Sequence, residues 1–161
     1  MIDEKIGKLA REVVKTLSAR GETLATAESF TGGGIASAIV SVPGASKVLR
    51  EGIVTYTVDS KVFRLGVNRD TVEKFGVVSE EVALEMARGA LASPLKPDYA
   101  VSATGNAGPS SEPNTDPCIG FVAVADKGGE AAVKLSLTGD REQNITKGVE
   151  NALTALLKSI K

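Results

Sequence analysis

Thr26-Ala27-Glu28-Ser29-Phe30-Thr31-Gly32-Gly33-Gly34 is the stretch whose reading decides the fold. The run Thr23-Leu24-Ala25-Thr26-Ala27 leading into it suits a short strand, and Ile35, Ala36, Ile39 and Val40 beyond it recur at helical spacing. The stretch therefore reads as strand, glycine turn, helix. A helix start of this kind carries unpaired backbone N–H groups and the positive end of the helix dipole, so it suits a phosphate, a carboxylate or a developing oxyanion. Glycines 32 to 34 let the backbone approach a ligand and take torsions closed to other residues. Ser29 is then a candidate nucleophile beside oxyanion donors, although serine serves equally as a cap or turn residue.

Outward from that turn, the chain alternates strands with helices. Toward the N-terminus, residues 2 to 19 put Ile2, Ile6, Leu9, Val13 and Leu17 on one stripe of an amphipathic helix that Gly21 ends. Toward the C-terminus, Val42-Pro43-Gly44-Ala45 closes the second helix, and residues 51 to 58 make a second strand ending near Tyr56. Asp59 is read as the cap of a short helix with Lys61 in its first turn and Gly66 as its stop; Asp70 and Ser79 are read as two further caps. A third strand over 98–103 runs into a second glycine turn, Thr104-Gly105-Asn106-Ala107-Gly108-Pro109. The polar segment Ser110 to Pro117 reads as a loop covering a site. Residues 118 to 125 and 130 to 138 form a hairpin, and a last helix begins at Asp140, with Gln143 completing a capping box. This order predicts a three-layer α/β/α sandwich with a mixed, mainly parallel five-stranded sheet, in one domain over residues 1–161. Ligands of such sheets sit beyond the carboxyl ends of the strands, where Ser29, Tyr56 and Thr104 would emerge.

Composition narrows the chemistry. Nineteen basic against twenty acidic residues give a net charge of -1, which supplies no basic surface for nucleic acid or for a membrane. No apolar run reaches membrane-spanning length, and the N-terminus is a charged periodic segment unlike a signal peptide, so a cytoplasmic location is expected. The single cysteine, Cys118, has no partner for an internal disulfide and is read as a buried strand residue. The chain contains no histidine. A Ser-His-Asp relay or a histidine zinc site is thereby excluded within one chain, and a base for Ser29 is left to lysine, tyrosine or carboxylate. No metal site is expected.

Each candidate has a plainer reading. Lys61, five residues after Tyr56, either points into the same crevice as a base or lies solvated on a helix. Tyr56 is either a site residue or a core aromatic with a wet hydroxyl. Arg141, after Gly139-Asp140 at a helix start, either binds phosphate or pairs with a surface carboxylate. The spacing of Thr31-Gly32-Gly33-Gly34 does not match a dinucleotide fingerprint, and no phosphate-binding G-x-x-x-x-G-K-[ST] occurs.

Taken together, the 26–33 stretch, Val42-Pro43-Gly44-Ala45-Ser46, Tyr56 with Lys61, Gly76-Val77-Val78-Ser79, Thr104-Gly105-Asn106-Ala107-Gly108-Pro109 and Gly139-Asp140-Arg141-Glu142 resemble the CinA C-terminal family in order and over nearly the whole chain. The resemblance implies a nicotinamide mononucleotide deamidase of pyridine nucleotide salvage, a serine-lysine amidohydrolase with no cofactor. It implies Ser29 as nucleophile, Lys61 as base, and Tyr56 and Thr104 as polar residues of the same site. Thr31, Gly32, Gly33, Gly105, Gly108 and Arg141 are the candidates for holding the substrate, its phosphate above all. A small-molecule nucleotide is the expected partner, and a homo-oligomer is left open. The chain departs from the family pattern at Thr57 and Val58, where serine and asparagine are usual, at Asn106, where an apolar residue is usual, along 110–117, and at Asn144-Ile145, commonly an apolar residue followed by arginine. The alternative reading is a catalytically silent nucleotide-binding or assembly domain of the same fold.

Overall fold

The structure, a computed structural model, describes residues 2–109 and 118–161; the expected covering loop at 110–117 lies outside them. Within them the chain runs α1 (Glu4–Arg20), β1 (Leu24–Glu28), α2 (Gly34–Val40), a 3-10 turn (Ala45–Lys47), β2 (Leu49–Val54), α3 (Val58–Leu65), α4 (Arg69–Phe75), α5 (Glu80–Leu91), β3 (Tyr99–Gly105), β4 (Ile119–Asp126), β5 (Gly129–Ser136) and α6 (Arg141–Ile160). The strands form one sheet in the order β2-β1-β3-β4-β5. The pairs β1–β2 and β1–β3 are parallel, while β3–β4 and β4–β5 are antiparallel. The sheet is mixed as expected, but parallel pairing governs only the half that carries the site.

Burial explains the layers. Every residue of β1 is buried, as a strand covered on both faces requires. Leu24 joins Val13 and Leu17 of α1, Ile35 and Ile39 of α2, Val101 of β3, and Leu153 and Leu156 of α6 in the larger core. Ala25 and Ala27 point the other way, to Leu65, Val82 and Met86. On that second face alanines 83 and 87 of α5 meet alanines 123 and 125 of β4, so the helix lies close to the sheet. Each fully buried Leu, Ile or Val contributes about 1.5–3 kcal/mol relative to exposure.

Several local expectations are corrected. The second strand ends at Val54 rather than near Tyr56. Thr57, not Asp59, caps α3, its hydroxyl accepting from the Ser60 amide; Asn68, not Asp70, caps α4 by accepting from the Asp70 amide. In both cases the cap is the last residue with extended backbone, and the aspartates fall two residues later in the first helical turn, where their charge suits the dipole. Ser79 caps α5, and Asp140 with Gln143 forms the expected capping box on α6. Cys118 is exposed, at φ 62, just ahead of β4 instead of buried within it. Its carbonyl accepts from the Leu137 amide and closes the open end of the hairpin. No helix among the described residues is long and apolar enough to cross a membrane.

Candidate active site

The site forms where β1, β2 and β3 end together. Parallel pairing sets Glu28 beside both Val54 and Ala103, and two further bonds carry the ladder past the strand ends. The Ser29 amide donates to the Ala103 carbonyl at 2.9 Å, and the Thr55 amide donates to the Glu28 carbonyl at 2.8 Å. Ser29 and Thr55 are thus tied to the sheet itself.

From α3, Lys61 reaches back across this seam. It is 1% exposed, and its Nζ lies 2.8 Å from Ser29 Oγ and 2.7 Å from the Thr55 carbonyl, to which it donates. The solvated reading of Lys61 is therefore set aside. A lysine can be this deeply buried only with hydrogen-bond partners for its nitrogen, and the serine and the strand-end carbonyl supply them.

The turn after Ser29 is organised by a residue that the sequence reading passed over. Glu28, 1% exposed, accepts from Thr31 Oγ1 at 2.7 Å and the Ile35 amide at 2.8 Å through one oxygen, and from the Ala36 amide at 3.0 Å through the other. Its carboxylate occupies the start of α2 and offsets the positive end of that helix. The expected anion site at this helix start is already filled by the chain. Thr31 turns to Glu28, and neither Thr31, Gly32 nor Gly33 is among the residues lining the cavity above Ser29. Gly32 and Gly33 have φ 59 and 96, so their role is the turn's left-handed backbone. The signal for Glu28 was its place next to Ser29 and seven residues before Ile35, but only the folded turn shows the reach.

That cavity measures about 290 Å³ and is lined by Ser29, Phe30, Tyr56, Val77, Val78, Thr104, Gly105, Asn106, Ala107 and Arg141. Ser29, Thr104 and Asn106 are buried, whereas Tyr56 is 59% exposed and Arg141 is exposed, so the cavity has an inner and an outer end. The core reading of Tyr56 is excluded. Its hydroxyl accepts from Arg141 Nη2 at 3.1 Å, and Arg141 Nη1 donates to the Gly108 carbonyl at 2.6 Å. Arg141 is held over the mouth, with Gly108 serving through its carbonyl. At the inner end the Thr104 hydroxyl donates to the Val77 carbonyl at 2.9 Å.

Phe30 fills the space behind Ser29. Its ring lies against Gly105 of β3, Gly120 of β4 and Gly148 of α6, where an added Cβ would come within 2.9, 3.4 and 2.4 Å of ring atoms. Gly105 is therefore an extended strand residue whose missing side chain makes room for an aromatic ring. Asn144, buried on α6, joins the second turn to the helix start: Nδ2 donates to the Ala107 carbonyl at 3.0 Å and the Gly139 carbonyl at 2.9 Å, and Oδ1 accepts from the Gly139 amide at 2.9 Å. Among the described residues no cluster of His, Cys, Asp and Glu is suited to a metal ion.

Chemically, the arrangement presents a buried hydroxyl in hydrogen-bond contact with a buried amine, opening onto a polar cavity with a cation at its mouth. A family model described as the CinA C-terminal domain matches residues 6–160. A CinA-like protein of Kosmotoga olearia is 43% identical over 152 residues, covering 88% of this chain and 37% of the relative. A putative competence-damage inducible protein of Clostridioides difficile is 40% identical over 156 residues, 96% of this chain and again 37% of the relative, so the chain spans little more than a third of these proteins. Among solved structures, the competence/damage inducible protein CihA from Agrobacterium tumefaciens superposes with TM-score 0.93 at 34% identity, over 98% of this chain and 97% of that one. A CinA superfamily protein from Escherichia coli gives 0.91 at 33%, over 99% and 93%. With a family model over nearly its full length and the same fold at this identity, the chain belongs to the CinA C-terminal domain family.

Proposed function

We propose that the chain hydrolyses the carboxamide of nicotinamide mononucleotide to nicotinate mononucleotide and ammonia. The observation that carries this reading is the 2.8 Å contact between Lys61 Nζ and Ser29 Oγ at the inner end of a cavity whose mouth holds Arg141. In the neutral form of the amine, the lone pair of Lys61 accepts the Ser29 hydroxyl proton across the same contact. One remaining N–H keeps its bond to the Thr55 carbonyl.

In the first step Ser29 Oγ bonds to the amide carbon and its proton passes to Lys61. The negative charge on the former carbonyl oxygen is met by N–H donors near the nucleophile; Phe30 lines the cavity, and its amide enters no backbone hydrogen bond among the described residues. As the C–N bond breaks, Lys61 returns the proton to leaving ammonia. Water then attacks the acyl-serine ester, again giving its proton to Lys61, and Ser29 takes that proton back as nicotinate mononucleotide leaves. Arg141, with its two fixed bonds, is oriented to meet the phosphate at the open end.

The test is ammonia and nicotinate mononucleotide release by the wild type, Ser29→Ala and Lys61→Met, with circular dichroism and thermal melting to check folding. Loss in both folded variants is the expected result. A folded wild type that releases no product above the no-enzyme control overturns the reading and leaves a domain that binds without cleaving.

A further inference from the structure

We propose that Asn106 is the side-chain oxyanion donor of this site, its Nδ2 hydrogen-bonding the oxygen that becomes negative when Ser29 attacks. The inference rests on the amidohydrolase reading. Asn106 lines the same cavity as Ser29 and is 9% exposed. Its amide orientation is fixed by the Gly108 N–H, which donates to Oδ1 at 3.0 Å, so Nδ2 is the atom left with hydrogens to give. Nδ2 is buried and has no hydrogen-bond partner among the described residues.

A buried donor without an acceptor is uncommon and is costly to keep, which makes it a marker of a group awaiting a ligand. The other polar groups of the cavity already have partners. Lys61 meets Ser29 and Thr55, the Thr104 hydroxyl gives its hydrogen to Val77, and Arg141 is bound to Tyr56 and Gly108. Position decides which part of the substrate Asn106 serves. It shares the inner end with Ser29, where the reacting amide must lie, while the charged end of a nucleotide belongs at the exposed guanidinium of Arg141. Catalytic hydrogen bonds of this kind close up only when the reacting group is in place, so Nδ2 gains its acceptor as the cavity wall settles around the substrate.

Asn106→Asp separates this role from a structural one. Aspartate keeps the acceptor for the Gly108 N–H and replaces the N–H donor by an oxygen, whereas Asn106→Leu removes both. Two readouts are used: kcat and KM on nicotinamide mononucleotide, and the rate at which a small alkyl fluorophosphonate labels Ser29, followed by intact mass. In that labelling the Ser29 O–P bond forms, the P–F bond breaks, fluoride leaves, the proton passes to Lys61, and the phosphoryl oxygen takes the oxyanion position. Because an apolar residue is usual at this position in the family pattern, Asn106 adds to the backbone N–H donors and does not replace them: both variants should lose about 10-fold to 10²-fold in kcat with KM changed only a few-fold, and should label correspondingly slowly.

Asn106→Asp within threefold of wild type in both assays, with only Asn106→Leu impaired, overturns the proposal and leaves Asn106 a turn-fixing residue. A wild type that labels at Ser29 but does not cleave nicotinamide mononucleotide sinks the substrate reading alone, and the labelling rates still decide the role of Asn106. A folded wild type that neither cleaves nor labels overturns both.

Discussion

Gly148 of α6 and the ring of Phe30 occupy the same space: a Cβ on Gly148 would lie 2.4 Å from Phe30 Cζ and 2.7 Å from Cε2. Because Phe30 follows Ser29 directly, this contact sets how deeply the turn that carries Ser29 can settle against the helix. Gly148→Ala should cost about 1–3 kcal/mol of stability by overpacking, read as a lower urea midpoint, although alanine is the better helix former. The same variant should lower kcat on nicotinamide mononucleotide more than it raises KM, since it shifts Ser29 away from Lys61.

Gly89 plays the matching part for α3, the helix that carries Lys61. An added Cβ there would sit 2.0 Å from the Leu65 carbonyl oxygen, and backbone at the end of α3 has little room to give. Gly89→Ala should destabilise by at least about 1–3 kcal/mol despite a propensity gain of about 1 kcal/mol. Calorimetry tests this; an unchanged melting temperature would show that α5 and α3 slide apart freely.

Glu28→Ala strips acceptors from two backbone amides and the Thr31 hydroxyl at once. A loss of about 2–4 kcal/mol is expected, between that of an exposed cap and that of a buried charged hydrogen-bond set. Glu28→Gln, which keeps one carbonyl acceptor, should recover part of the stability. Equal losses in the two variants would assign the whole effect to the charge.

Asn144→Leu keeps the branched shape but leaves the Ala107 and Gly139 carbonyls and the Gly139 amide without their partner. At about 1–3 kcal/mol for a buried group left unpaired, the variant should lose several kcal/mol if no water replaces the side chain. Hydrogen exchange should localise the loosening to 105–109 and the start of α6.

On the far side of the sheet, Arg88 of α5 forms a forked pair with Glu130 of β5. The hydrogen bond from Arg88, more than its charge, holds the Glu130 carboxyl below the ordinary range. A depressed acid stabilises the fold above its unfolded pKa, and that contribution disappears as pH falls through the lower folded value. Both side chains are more than a quarter exposed, so Glu130→Gln should cost under about 1 kcal/mol and less at high salt.

Much of the fold was legible because it is written locally. The stripe of α1, the Ser79 cap and the Asp140–Gln143 box are patterns within a few residues, and they were read correctly. Thr57 and Asn68 were missed because an aspartate two positions on is an equally good cap in sequence; the point where extended backbone gives way to helix decided between them. At the site, the alternation of strands and helices put Ser29 just after the first strand and Lys61 in a helix beyond the second, but it left open whether the lysine faced the crevice or solvent; only the fold shows it buried against Ser29. The slot for Phe30 was not legible, since Gly105, Gly120 and Gly148 come from three separate elements and look like ordinary turn or helix glycines in sequence. Glu28 was hidden for a different reason: a buried carboxylate reads as an error until the amides it serves are in place.

The strand that leads into Thr55 and on toward Lys61 is β2, which lies at the margin of the sheet with β1 as its one strand neighbour among the described residues. Edge pairings open more readily than central ones, in fluctuations far smaller than unfolding. Ser29 and Lys61 therefore meet across an edge seam of the sheet, so under the proposed mechanism warming should extinguish turnover before the core melts, with the lost activity returning at once on cooling.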